Sequence, residues 1–273
     1  MIDTHCHIFD KAFDADRSDA VARAQAAGVT MMLMPNVDSG TYNDMMRAAS
    51  AFPQLCLPMA GVHPTSITPE NMERELSFVR SALENTPPKT FVAVGEIGVD
   101  CYWSRGCVRQ QQHAFERQLR MAEQHGLPVV IHARDSFNEI LEVLRSAKPN
   151  VKGVFHAFSG DAERYRDVKK LGDYKLGVGG MVTFKNAALP DVVRQAPLSD
   201  LLLETDAPYL TPAPFRGKRN ESAHLALIAQ KIADIKGLTL KEVADATTAN
   251  AIQLFGVSPP CSAVKPPRTS VQC

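Results

Sequence analysis

Histidines and acids recur at matching places along the chain. His5 and His7 follow the first apolar run, His63 the third, Glu96 the fourth, His132 the fifth, His156 the sixth and Asp206 the eighth. Neutral imidazole and carboxylate together are good ligands for divalent cations. A buried cluster of carboxylates is costly unless a counter-charge such as a bound dication accompanies it. A catalytic ion takes about three protein ligands and keeps one position open, so this set is larger than one ion needs. Two ions are therefore expected, with Mg²⁺, Mn²⁺ or Zn²⁺ as candidates. Glu96 is the natural bridge, because each of its oxygens can take one ion. His5, His7, Glu96 and Asp206 are assigned to the first ion, and Glu96, His132 and His156 to the second. A water bridging the pair would be acidified enough to give hydroxide near neutral pH. Asp206, with Glu96, is the expected catalytic carboxylate, placed to orient or deprotonate that water.

Such residues are useful only if the fold gathers them. The candidate strands, 1–4, 29–34, 55–61, 91–95, 128–131, 151–155, 174–177 and 201–204, are apolar nearly throughout. That is the pattern of parallel strands covered on both faces. Amphipathic stretches lie between them. Residues 19–27 form one, stopped by Gly28, and Phe115, Leu119 and Ala122 share a face before Gly126 and Pro128. Ser136-Phe137-Asn138-Glu139 and Thr239-Leu240-Lys241-Glu242 both read as capping boxes. Leu225, Ile228, Ile232 and Ile235 form a core stripe before Gly237. Eight strand–helix units in this length predict a single-domain (β/α)8 barrel over residues 1–257. In such a barrel the C-terminal strand ends converge on one mouth, and the alternation of a strand aims His5 and His7 to one side. A doubly wound sheet is the alternative, but no G-x-G-x-x-G follows the first strand. Residues 258–273, with four prolines and no periodic pattern, are expected to be a disordered tail.

Composition narrows the function further. Lys and Arg number 30 and Asp and Glu number 30, so no global field holds the chain along a duplex or an anionic membrane. Any polyanion must be gripped locally. No run is long enough to cross a bilayer, and the opening has no export signal, so a cytoplasmic location is expected. The six cysteines show no CxxC spacing, and reduced thiols are the default.

At these residues the sequence resembles the TatD family of metal-dependent deoxyribonucleases. The matching segments are Ile2-Asp3-Thr4-His5-Cys6-His7, Gly61-Val62-His63-Pro64, Val94-Gly95-Glu96-Ile97-Gly98-Val99-Asp100 and Pro128-Val129-Val130-Ile131-His132-Ala133-Arg134. They continue with His156-Ala157-Phe158-Ser159-Gly160, Gly177-Val178-Gly179-Gly180 and Leu203-Glu204-Thr205-Asp206-Ala207-Pro208-Tyr209. The D-T-H-x-H opening is shared across a superfamily, whereas the later segments together are specific. The resemblance implies a TIM barrel that hydrolyses DNA phosphodiester bonds with divalent metals, often from the 3′ end. It implies metal ligands at His5, His7, Glu96, His132, His156 and Asp206. The sequence departs from the family at Ser222, where the pattern R-G-K-x-N-E-P has proline, and slightly at Cys101-Tyr102-Trp103.

Substrate candidates follow. His63 sits in a tight turn at the expected mouth. Arg134, two residues after His132, points the same way and suits bidentate recognition of phosphate. Arg216, Lys218 and Arg219 put three positive charges on a loop after strand eight. Glu204 is a further ligand or an acceptor for a histidine N–H, and Asp100 and Tyr102 line the loop after Glu96. Trp103, Phe158 and Tyr209 are candidates to stack on unpaired bases. His113, His125 and His224 are read as structural or exposed and away from the mouth. Single-stranded DNA or DNA ends are the expected partner, with no membrane and no obligate protein partner. The competing reading is a hydrolase of a small ester, lactone or phosphotriester on the same scaffold. Several such enzymes bridge their metals with a modified lysine, and residues 91–100 contain none.

Overall fold

The structure, a computed structural model, describes residues 1–258. The expected tail therefore lies, beyond Ser258, outside the described residues. The apolar runs form eight strands: β1 (Ile2–Asp3), β2 (Met31–Met34), β3 (Cys56–Pro58), β4 (Val94–Asp100), β5 (Val129–Arg134), β6 (Gly153–Phe155), β7 (Tyr174–Val178) and β8 (Leu201–Leu203). Each pairs in parallel with its neighbour in sequence, β1 to β3 in one stretch and β4 to β8 in another. Two seams join the stretches. At one, Ala60 bridges Val94, and the Gly95 N–H donates to Ala60 O at 2.9 Å. At the other, Cys6 bridges Ala207, and the Asp206 N–H donates to His5 O at 2.8 Å. The sheet closes on itself, which is the (β/α)8 barrel that the strand pattern predicts.

Helices follow the strands in order: α1 (Arg17–Ala26), α2 (Tyr42–Ala51), α3 (Met72–Asn85), α4 (Val108–His125), α5 (Phe137–Ala147), α6 (Ala162–Leu171), α7 (Leu189–Gln195) and α8 (Leu225–Lys236), with α9 (Leu240–Phe255) in addition. The period-2 alternation of the strands divides the core in two. Met32, Val129, Ile131, Phe155, Leu201 and Leu203 pack outward beneath the helices. Met31, Leu33, Val130, Val154 and Leu202 fill the barrel, where Ala251, Leu254 and Phe255 of α9 join them. The capping box at Thr239 forms, with its hydroxyl accepting from the Glu242 N–H. The one expected at Ser136 does not, because its hydroxyl donates instead to the Val99 carbonyl at the end of β4. Among the described residues no helix is long and apolar enough to cross a membrane.

One irregularity matters for the site. The β4–β5 register shifts between Val94 and Ile97. Ala93 packs inside the barrel, while Val94, Ile97 and Val99 pack outside. The shift adds one residue to the alternation and so reverses its phase. Glu96, Gly98 and Asp100 thereby share the inward face with His132, which is paired to Gly98. Glu96 was expected at the end of strand four; it lies near the start of β4, and Asp100 ends the strand. Gly61 makes this possible on the neighbouring side. A Cβ there would lie 2.6 Å from the Gly95 carbonyl carbon, so only glycine lets the two backbones meet.

Candidate metal centre

Glu96 stands at the middle of the mouth with its two oxygens facing different groups. Oε2 lies 3.1 Å from His5 Nε2 and 3.8 Å from His7 Nε2. Asp206 Oδ1 lies 3.5 Å from both of those nitrogens. Oε1 lies 2.7 Å from His132 Nδ1, 2.7 Å from His156 Nε2 and 3.4 Å from His63 Nε2. The structure thus brings together all six expected metal ligands, supplied by β4, β5 and the segments just after β1, β6 and β8. His63, expected at the mouth as a substrate contact, joins the second group.

The donor set fits divalent cations. Three triads have ligand atoms within 4.8 Å of one another: His5, His7 and Asp206; His5, Glu96 and His156; and His63, Glu96 and His132. Both ring nitrogens of His5 are buried without a hydrogen-bond partner among the described residues, although Nε2 faces two carboxylates. Buried polar atoms are ordinarily satisfied, so a donor atom left this way points to a ligand.

Neighbouring groups orient these rings. His132 Nε2 lies 2.8 Å from Asp100 Oδ2, which leaves Nδ1 for the centre. His156 Nδ1 lies 3.7 Å from Glu204 Oε1, whose carboxylate also accepts the Ala157 N–H. Glu204 therefore stands behind His156 and not in the centre, a carboxylate facing Nδ1 beyond hydrogen-bond distance. The Thr65 N–H donates to His63 Nδ1 at 3.1 Å. That bond puts the proton of the neutral His63 ring on Nε2, making it a donor toward the mouth. Asp3 accepts the Thr205 N–H at 2.9 Å and the Thr205 hydroxyl at 2.6 Å, tying the end of β1 to the segment that carries Asp206. Asn220 does the same for the following turn, donating to Thr205 O at 2.8 Å and Tyr209 O at 2.6 Å. Sequence reading singled out neither; their signal is a polar residue inside two of the motifs, Asp3 two before His5 and Asn220 in R-G-K-R-N-E.

The electrostatics follow from crowding. Burial pushes the Glu96 carboxyl up, but the imidazoles of His156, His5 and His63 outweigh it and hold the group well below its ordinary value. Asp206 is likewise held low, burial being outweighed by His7, His5 and His156. Burial pulls His156 and His132 down, yet Glu96 with Glu204 raises the first and Asp100 with Glu96 raises the second. His5 and His63 are lowered, chiefly by burial. Burial pushes the Asp3 carboxyl up to about 7.

The basic candidates separate. Arg134 is exposed, with its guanidinium carbon 3.7 Å from the Tyr102 ring centre. Arg216 is exposed and lies 3.7 Å from the Phe184 ring centre. Arg219 corrects the sequence reading: its guanidinium is bound to Asp16 at 2.6 and 2.8 Å and to Ala12 O at 2.7 Å, so it ties the loop to the start of α1 and offers no free fork to phosphate. Phe158 is buried and unavailable for stacking, whereas Trp103 and Tyr209 are exposed. His113 and His125 lie in α4 as expected. His224 has a structural role, as read: its Nδ1 lies 2.9 Å from Asn220 Oδ1, and its ring stacks on Phe215.

Known proteins resemble this chain along nearly its whole length. The family described as TatD related DNase matches residues 2–256. The uncharacterized metal-dependent hydrolase YabD of Bacillus subtilis is 35% identical over 94% of this chain and 100% of its own. The 3'-5' ssDNA/RNA exonuclease TatD of Citrobacter rodentium is 34% identical, covering 94% of this chain and 98% of its own. The crystal structure of YjjV, a TatD homologue from Escherichia coli K12, superposes with a TM-score of 0.86 at 30% identity, over 94% of this chain and 98% of that one. These matches span the whole barrel that carries Glu96 and the imidazoles around it, and the chain belongs to the TatD family of metal-dependent hydrolases.

Proposed function

We propose that the protein is a divalent-metal-dependent deoxyribonuclease that removes nucleotides from the ends of single-stranded DNA. The observation that carries this reading is Glu96, with Oε2 turned to His5 and His7 and Oε1 turned to His132 and His156. A carboxylate so placed suits a pair of cations that clamp one phosphodiester. The likeness to a relative named as a 3'-5' ssDNA/RNA exonuclease supports the choice of substrate. His5, His7, Glu96 and Asp206 would hold one cation, and Glu96, His132 and His156 the other. When bound, the cations polarise the phosphoryl oxygens and acidify water. Asp206, kept ionised by the imidazoles around it, accepts the proton of the attacking water. His63 donates from Nε2 to a phosphate oxygen. Arg134 and Arg216, whose guanidinium groups carry no hydrogen bond or ion pair among the described residues, meet the adjoining phosphates. A cytoplasmic setting belongs to the same proposal and is supported by the free thiols of Cys6, Cys56, Cys101 and Cys107.

End-labelled single-stranded DNA with Mg²⁺ or Mn²⁺ tests the proposal. Stepwise shortening of the label is expected, and Asp206→Asn should slow it at least about a hundredfold, the usual contribution of a positioned base. Turnover of bis(p-nitrophenyl) phosphate with no product from DNA would overturn the nuclease reading and leave a hydrolase of small esters.

A further inference from the structure

Two large aromatic side chains stand in water beside this mouth. Trp103 is 72% exposed and Tyr102 53% exposed, immediately after β4. Adjacent rings left uncovered next to a reaction centre are more informative than scattered surface apolar groups. Their loop is firmly held. Asp100 Oδ1 accepts the Tyr102 N–H at 3.0 Å and the Trp103 N–H at 3.4 Å, while Oδ2 of the same carboxylate meets His132 Nε2 at 2.8 Å. One side chain therefore fixes both the aromatic loop and the His132 ring. The rings meet edge to face, with centroids 5.0 Å apart at 86°. Arg134, from β5, lays its guanidinium carbon 3.7 Å from the Tyr102 centroid and 5.6 Å from that of Trp103. Among the described residues Arg134 has no acidic partner. Stacking occupies the face of a guanidinium and leaves its N–H edge free for an anion.

Resting on the nuclease reading above, we propose that Tyr102, Trp103 and Arg134 form a stacking platform for an unpaired base of the bound strand, with Arg134 taking the neighbouring phosphate. A single strand alternates a flat apolar base with an anionic phosphate, and this patch alternates flat rings with an unpaired cation. A base within a duplex already has its faces covered, so the platform selects single strands without reading their sequence. It determines specificity and takes no part in bond cleavage. A small diester is too short to use it.

Trp103 is the one tryptophan of the chain, so its emission reports on the platform alone. Mg²⁺-loaded protein titrated with a phosphorothioate-linked oligothymidylate should show saturable quenching, weakened in Arg134→Ala. Trp103→Ala should raise KM for ordinary oligothymidylate roughly ten- to hundredfold, the range for losing one base stack, and Trp103→Phe should recover most of it. The ratio of kcat/KM for oligothymidylate to that for bis(p-nitrophenyl) phosphate should fall by the same factor in Trp103→Ala. The platform is overturned if emission ignores the oligonucleotide, if Trp103→Ala keeps the parental KM, or if duplex quenches as well as single strand. Quenching by oligonucleotide without cleavage would instead overturn the nuclease reading while supporting the platform.

Discussion

Placing a methyl group at Gly177 would strike the carboxylate behind His156. A Cβ there would lie 2.6 Å from Glu204 Cδ and closer still to Oε2. Ordinary contact begins near 3.4 Å, so in Gly177→Ala the carboxylate must retreat by on the order of 1 Å. It is fully buried and accepts the Ala157 N–H, so the retreat breaks a charge-assisted bond with no water to replace it. Losing that bond costs about 1–3 kcal/mol. Overpacking a filled site costs about 1–3 kcal/mol. Both arise from one displacement and do not add fully, so about 2–4 kcal/mol is expected. For a chain of this size that lowers Tm by roughly 5–15 °C. The same movement displaces the carboxylate that faces His156 Nδ1, now 3.7 Å distant. If the carboxylate facing Nδ1 orients the ring, its loss weakens metal binding about 10- to 100-fold. Thermal melting in EDTA reads the first effect, and calorimetric titration with Mn²⁺ reads the second. Glu204→Gln should weaken Mn²⁺ binding without the overpacking. If Gly177→Ala melts with the parent and binds Mn²⁺ equally well, the carboxylate is free to move and does not hold His156. If it loses only stability, Glu204 packs the barrel without orienting the ring.

Metal binding should be coupled to protons in a definite direction. In the metal-free protein His156 and His132 are raised above the ordinary value of 6.5, so below that raised range their protons compete with a cation. Mn²⁺ affinity should climb as pH rises through this window, with protons released; titration in buffers of different ionisation enthalpy counts them, and zero release at pH 7 contradicts the assignment. Arg219→Ala and Asp16→Ala should each lower Tm slightly and non-additively, since both break one contact, with KM for DNA retained. Arg216→Ala should instead raise KM with Tm retained, and a KM increase in Arg219→Ala alone would reverse the two roles.

The barrel was legible in sequence because burial on both faces leaves the strands continuously apolar, and because Gly126 and Gly237 end their helices as their φ of +64° and +66° requires. The ligands were legible because each lies next to such a run. Other features depend on contacts that no local pattern encodes. Alternation carried from Ala93 would turn Glu96 away from the barrel, and only the register shift against β5 turns it inward. Ser136 looked like a cap, but a strand carbonyl far along the chain takes its hydroxyl. Arg216, Lys218 and Arg219 are alike as a charge run, and what separates them is Asp16, some two hundred residues away. The sequence places His63 at the mouth, but its approach to Glu96 and His132 depends on how its turn folds against β4 and β5.

The neutral composition and the mouth chemistry now bear on each other. Thirty basic and thirty acidic residues cancel, and many pair locally: Arg23 with Glu221, Arg219 with Asp16, Lys169 with Asp200. Such pairing removes long-range attraction for a polyanion. Arg134, Arg216 and Lys218 escape it among the described residues, and all three lie on segments at the C-terminal ends of strands. Each has a ring beside it, at 3.7 Å for Arg134 on Tyr102, 3.7 Å for Arg216 on Phe184 and 5.7 Å for Lys218 on Phe215. The rings hold the cations in place without neutralising them. Positive charge is therefore available at the mouth while the protein as a whole stays neutral. On the proposed nuclease reading, that distribution would favour capture of one or two phosphates at a strand end over travel along a duplex, since few counterions would be released and the grip is short.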